Sequence, residues 1–200
     1  MNVSNETWRV FCAIEIPAPA RRRLLEHIVR LREAVPEAQA SWSREANLHL
    51  TLKFLGEIPR ASVAELSNAA ARATAGLSPF SIQLEDAGVF PTQGAPRVLW
   101  IGIKDAAGNL AELQARLEGE AGQAGFAKDA RRFQPHLTLA RLRKPAAARK
   151  LAAAHQKLMF EPQEIAVSEL LVIRSELSST GSNYTIVSRH LFECADLSPL

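Results

Sequence analysis

His49-Leu50-Thr51-Leu52 and His136-Leu137-Thr138-Leu139 are the same tetrapeptide, HLTL, met twice at positions 87 residues apart. Strict alternation is the period of a β-strand, in which residues i and i+2 share a face. His49 and Thr51 therefore point one way, as do His136 and Thr138. The four leucines point the other way, toward a core. Each motif offers one imidazole and one hydroxyl to the same space and holds them on a strand anchored by leucine.

Beyond the tetrapeptides, Arg9-Val10-Phe11 is answered by Arg97-Val98-Leu99, 88 residues on. Two matches at nearly one offset point to an internal duplication, with approximate repeats 8–90 and 96–175 inside a single domain spanning 1–200. The elements repeat in the same order. Arg9–Ile16 reads as a strand ended by Pro17, and Pro19 suits the first turn of a helix carrying Leu24, Leu25, Ile28, Val29 and Leu31. Leu48–Leu55 is a strand punctuated by Gly56 and Pro59, Ala61–Ala75 a helix, and Phe80–Phe90 a strand or a bent pair. Arg97–Ile103 is then a strand, Asn109–Ala124 a helix, Pro135–Leu142 a strand, Pro145 to about Leu158 a helix and Ile165–Ile173 a strand. Tyr184–Phe192 is an extra strand. Such a duplication predicts two similar lobes about a pseudo-twofold axis, with the two HLTL strands facing each other across one cleft.

Composition bounds the function. The chain of 200 residues is 47% hydrophobic and 22% charged, a globular balance. A net charge of +3 and a pI near 9.1 are too mild to mark a nucleic-acid binder by charge alone. Cys12 and Cys194 suggest neither a disulfide framework nor a zinc site, and suit a reducing compartment. With no leader pattern in Met1–Pro17 and no long apolar run, a cytoplasmic protein without a membrane segment is expected.

The residues suit phosphoryl chemistry. Opening a cyclic phosphodiester with water needs a base for the attacking water and an acid for the departing oxygen, and imidazole serves both near neutral pH. In-line displacement places the entering and leaving oxygens on opposite sides of phosphorus, so one histidine is wanted on each side. Threonine hydroxyls can donate to the non-bridging oxygens. Two histidines are too few for a zinc centre, and no clustered ligand motif supplies the rest, so no metal is expected. His27, His155 and His190 read as structural or surface residues.

Around the second motif, KDARRFQPHLTLARLRK (Lys128–Lys144) holds Lys128, Arg131, Arg132, Arg141, Arg143 and Lys144 against Asp129 alone, which fits a phosphate-bearing polymer. Strand parity puts Lys53 on the face of His49 and Thr51, and puts Arg141 on the leucine face unless the strand bends near Ala140. Tyr184, Trp100, Phe11 and Phe90 are candidates for stacking on a base.

FCAIEIP (Phe11–Pro17), HLTLKFLGE (His49–Glu57), RVLWIGI (Arg97–Ile103), PHLTLAR (Pro135–Arg141) and SELSSTGSNY (Ser175–Tyr184) together resemble the two-histidine phosphoesterase superfamily, with its two His-x-Thr-x motifs. The likeness is to its bacterial RNA 2′,3′-cyclic phosphodiesterase group, also called 2′-5′ RNA ligases. The resemblance implies an α+β fold of two pseudo-symmetric lobes, with antiparallel sheets lining a central cleft and helices outside. It implies hydrolysis of an RNA 2′,3′-cyclic phosphate to a 2′-phosphomonoester, with RNA or an oligonucleotide as partner, in a monomer without metal or organic cofactor. His49 would be the proton donor and His136 the proton acceptor. Thr51 and Thr138 would bind the phosphate, and Arg141 would touch the substrate, against its parity. Ligation of RNA ends by a 2′-5′ linkage, or binding of such an end without turnover, are the alternatives.

Overall fold

The computed structural model describes residues 6–143, 145–179 and 181–193. Cys194 and Lys144 lie outside them. An apolar run closed by Pro17 forms β1 (Thr7–Glu15). The helix α1 (Ala18–Ala34) follows at once, with Pro19 in the first turn, where a missing N–H costs no helical bond. Next come β2 (Ala40–Trp42), β3 (His49–Pro59), α2 (Val63–Thr74) and β4 (Phe80–Phe90). Then follow β5 (Val98–Lys104), α3 (Asn109–Gln123), β6 (His136–Leu142) and α4 (Pro145–Leu158). The last strands are β7 (Gln163–Val167), β8 (Glu169–Ser178) and β9 (Gly181–Leu191).

Two antiparallel sheets result, one in the order β3-β1-β8-β9 and the other β2-β6-β5-β4-β7. This is the expected α+β architecture. Leu24, Leu31, Leu110, Leu113 and Leu117 recur at helical spacing and are wholly buried. They join Leu50, Leu52, Leu137 and Leu139 from the two HLTL strands in one core. Truncating any of these leucines to alanine costs about 2–5 kcal/mol in such a setting. The leucine half of each motif is thus spent on fixing the strand that carries the histidine.

The two sheets exchange strands. β4 belongs to the first stretch of sequence but pairs with β5, and β8 belongs to the second but pairs with β1. Separating the two halves would therefore break strand pairs in both sheets. The single strand expected over Ile165–Ile173 is in fact two, β7 and β8, which lie in different sheets and part at Ser168. No Gly or Pro interrupts Ile165–Ile173, and Ser168 and Glu169 alone break its apolar run, so the crossing carries no strong turn signal. β3 also runs on past Gly56 to Pro59, with Gly56 at φ 71 beside a bulge at Leu55. The three-residue β2 was not foreseen; it pairs with the end of β6, Ala40 opposite Leu142.

Candidate active site

The histidines begin their strands. Glu15 lies opposite His49 and Ala13 opposite Thr51 in one sheet; Gly102 lies opposite His136 and Trp100 opposite Thr138 in the other. Both pairings repeat at the offset of the HLTL motifs. The four side chains line a single cleft of about 800 Å³, together with Phe54, Arg141 and Tyr184.

A bulge, also repeated, sets the facing of the residues beyond each motif. Cys12 faces Lys53 while Ala13 faces Thr51, so Leu52 is the extra residue of β3. Leu99 faces Ala140 while Trp100 faces Thr138, so Leu139 is the extra residue of β6. An inserted residue inverts the alternation beyond it. Leu139 and Ala140 are both buried, and Arg141 comes round to the cleft despite the parity of an ideal strand. The same inversion corrects the expectation for Lys53. It is 3% exposed and turned into the protein, where its Nζ donates to Glu118 Oε2 at 2.7 Å and to the Ala127 carbonyl at 2.9 Å. Phe54, unremarked in the sequence, takes its place in the cleft.

Each imidazole has an aromatic wall. His49 stacks on Phe11 with ring centroids 4.7 Å apart, and Tyr184 meets both rings edge-on. Phe11 is 3% exposed, so it supports the histidine and is closed to a base. Phe90 stands edge-on to His136 at 5.1 Å, with Trp100 behind at 6.3 Å. Gly88 makes room for Trp100, since a Cβ there would lie 2.1 Å from the indole.

His136 Nδ1 lies 2.7 Å from the Gln134 carbonyl. A carbonyl only accepts, so Nδ1 carries the proton and Nε2 of the neutral ring is left as the acceptor. The matching carbonyl beside His49 is that of Asn47. It favours the charged ring only weakly, and Nδ1 of His49 is buried without a hydrogen bond. Burial dominates and pushes His49 down to about 4.

The walls are one-signed. Arg44, Arg131, Arg141 and Arg143 line the cleft, and no Asp or Glu does among the described residues. Arg131 is offset by Asp129, which accepts from its backbone N–H and from its guanidinium at 3.2 Å. Arg44 ties the β8–β9 hairpin to the segment preceding His49 by donating to the Ser182 carbonyl, and Asn47 Nδ2 donates to that same carbonyl at 3.1 Å. Ser43 Oγ donates to the Thr138 carbonyl at 2.7 Å, linking that segment to β6. Of these, Asn47 left a trace in the sequence, since it precedes His49 by two residues as Gln134 precedes His136. Arg44 and Ser43 left none.

Elsewhere, His27 Nε2 and His155 Nδ1 lie 3.0 Å apart and buried, away from the cleft lining. Among the described residues no group of three or more His, Cys, Asp or Glu could hold a metal ion, and no helix is long and apolar enough to cross a membrane.

This geometry has relatives. A family model described as the 2′-5′ RNA ligase superfamily matches residues 17–178. The chain is 32% identical over 180 residues to a Methanothermobacter thermautotrophicus protein named RNA 2′,3′-cyclic phosphodiesterase, covering 88% of this chain and 95% of that one. It is 34% identical over 137 residues to an Escherichia coli protein of the same name, covering 68% and 73%. Among solved structures, TT0787 of Thermus thermophilus matches with a TM-score of 0.77 at 28% identity, covering 94% of this chain and 99% of that one. E. coli LigT complexed with 3′-AMP matches with a TM-score of 0.74 at 28% identity, with the same coverage. With its HLTL strands, its paired sheets and a family match over most of its length, the chain belongs to the 2′-5′ RNA ligase superfamily.

Proposed function

We propose that this protein hydrolyses RNA 2′,3′-cyclic phosphodiester ends to 2′-phosphomonoesters by general acid–base catalysis between His49 and His136. The observation that carries the reading is the pair of imidazoles, on strands of matching register, in one carboxylate-free and arginine-lined cleft. The names of the relatives and the complex of LigT with 3′-AMP support it.

His136 Nε2 accepts a proton from water, and the hydroxide oxygen attacks phosphorus. The bond from phosphorus to the 3′ oxygen breaks, and His49 delivers a proton to that oxygen. The 2′ ester remains. Exchange with solvent then resets both rings. Thr51 and Thr138 donate to the non-bridging oxygens, whose charge the Arg141 guanidinium offsets; Arg141 has no hydrogen-bond or ion-pair partner among the described residues. Tyr184, edge-on to His49, closes the wall beside the leaving 3′ oxygen. A buried His49 enters this scheme neutral, so its proton arrives with the phosphate, whose negative charge favours the imidazolium. Joining RNA ends by a 2′-5′ linkage uses the same two rings with the 5′ hydroxyl of a second strand in place of water: His136 takes the hydroxyl proton as the 5′ oxygen bonds to phosphorus, and the bond to the 3′ oxygen breaks as His49 protonates it; the family description favours this as the second activity.

The test is an oligoribonucleotide ending in a 2′,3′-cyclic phosphate, with the position of the product phosphate determined by NMR. A 2′-phosphate product that forms equally after chelator treatment is the expected result. A 3′-phosphate product, or activity lost with chelator and restored by metal, would overturn the mechanism.

A further inference from the structure

Resting on that phosphodiesterase reading, we infer that Arg143, with Ser41, forms a subsite for a second phosphate. The preferred substrate is then a strand of two or more nucleotides ending in the cyclic phosphate, and not a free cyclic mononucleotide. A cyclic phosphodiester carries one negative charge. The cleft presents four guanidiniums, of which Asp129 compensates one. The positive charges of Arg44, Arg141 and Arg143 have no carboxylate beside them among the described residues. A single phosphate cannot answer all three.

Reach separates Arg143 from the reacting phosphate. It stands five residues along the chain from Thr138, a span of roughly 13–16 Å once the bulge at Leu139 is allowed for. That is beyond an arginine side chain aimed at an oxygen held by Thr138. Arg141 lies between the two, on the same face of the strand. Arg141 and Arg143 are about 6–7 Å apart along the chain, as i and i+2 positions of a strand are. That spacing compares with the distance between neighbouring phosphates of a stretched strand. The Arg143 group is also held in advance. Its Nε donates to Ser41 Oγ at 2.9 Å, and its backbone N–H donates to the Gln39 carbonyl at 3.0 Å. Among the described residues neither Nη group has a partner, which leaves the fork that suits a phosphate.

The experiment compares uridine 2′,3′-cyclic phosphate with di- and triribonucleotides ending in the same group, for the wild type, R143Q and S41A. The wild type should turn over the dinucleotide with a kcat/KM at least about tenfold above the mononucleotide, the worth of one charge-assisted contact. R143Q should remove most of that ratio and lower the salt dependence on the dinucleotide by about 0.7 in log–log slope, one phosphate of a single strand. S41A should give a smaller change of the same sign. A wild type that treats mono- and dinucleotide alike, or an R143Q that keeps the full ratio and salt slope, would overturn the subsite and leave the phosphodiesterase reading standing. No turnover of any of the three substrates by the wild type would overturn both.

Discussion

Phe54 and Arg141 occupy matching places in the two sheets: each is the second residue beyond a bulged leucine of an HLTL strand, and each faces the cleft. One sheet offers an aromatic ring to the cleft and the other a guanidinium. Phe54 is 46% exposed, with the Arg9 guanidinium over its outer face at 4.5 Å from the ring centroid. The asymmetry gives the cleft a direction, with an aromatic side and an anion-binding side.

That direction separates the kinetic effects of the two side chains. Arg141→Ala should lower kcat/KM about 10- to 100-fold on every cyclic phosphate, because it removes a charge-assisted contact to the group that reacts. Phe54→Ala should act mainly on KM, raising it roughly 5- to 150-fold, since stacking on one base is worth about 1–3 kcal/mol. Steady-state kinetics of both variants on one dinucleotide would decide. An unchanged KM for Phe54→Ala would show that the ring does not hold the base.

Replacing either imidazole should cost about 10²–10⁴ in kcat, with the double variant little worse than the single ones, because the two rings act as a unit. The ionisation of His49 sharpens this. Burial holds it at about 4 in the free protein. Above that pH the ring of the empty site is neutral, so the proton it donates is taken up as the substrate binds. Proton NMR of the ring should show a midpoint near 4 that rises when inorganic phosphate binds. A midpoint near 6.5 in the free protein would remove the reason for substrate-delivered protonation.

The alternation of His, Leu, Thr and Leu is local, and it placed four leucines in the core and four polar groups outside it by the period of the strand alone. The bulge is not local. It arises where β1 and β5 pair with the motif strands, and no residue type at Leu52 or Leu139 announces it. Lys53 and Arg141 were therefore assigned to the wrong faces by parity for one and the same reason, and the resemblance outweighed parity for Arg141. Asn47 was legible through its equivalence with Gln134. Arg44 and Ser43 reach the cleft by contacts with Ser182 and Thr138, across the join of two sheets, where sequence spacing carries no information. The exchange of β4 and β8 between sheets was likewise invisible, since a buried strand reads the same in either sheet.

Lys53, turned inward, ties β3 to α3. Glu118 Oε2 accepts from its Nζ and from the Asp129 N–H at 3.3 Å, while Oε1 is buried without a partner. Lys53→Met leaves that carboxylate without its cation, which costs about 3–5 kcal/mol. For a chain of this size the melting temperature should fall by about 10 °C. Adding Glu118→Leu should restore much of the loss, because the desolvated charge goes with its partner. Thermal melts of the three variants test this, and a double variant no more stable than Lys53→Met would show that the pair's burial is not the source of the cost.

The buried pair of His27 and His155 sets the acid limit of the fold. His27 Nε2 and His155 Nδ1 are 3.0 Å apart, between α1 and α4, and His155 Nε2 lies 3.0 Å from the Trp100 carbonyl, to which it donates. Burial, then the charge of the neighbouring ring, depresses His27 to about 4, and burial lowers His155 as well. The unfolded chain takes up these protons near pH 6.5, before the folded one does, so protonation favours unfolding. Stability should be level above about pH 7, fall as pH drops from about 6.5 toward 4, and level again below the folded pKa. The loss from His27 alone is about 2–3 kcal/mol. Urea denaturation at pH 7 and pH 4.5 should show it, and His27→Gln, which keeps a polar contact to His155 without a titrating ring, should flatten the slope. Equal acid sensitivity in the variant would move the cause to the other rings that burial lowers, His49, His155 and His190.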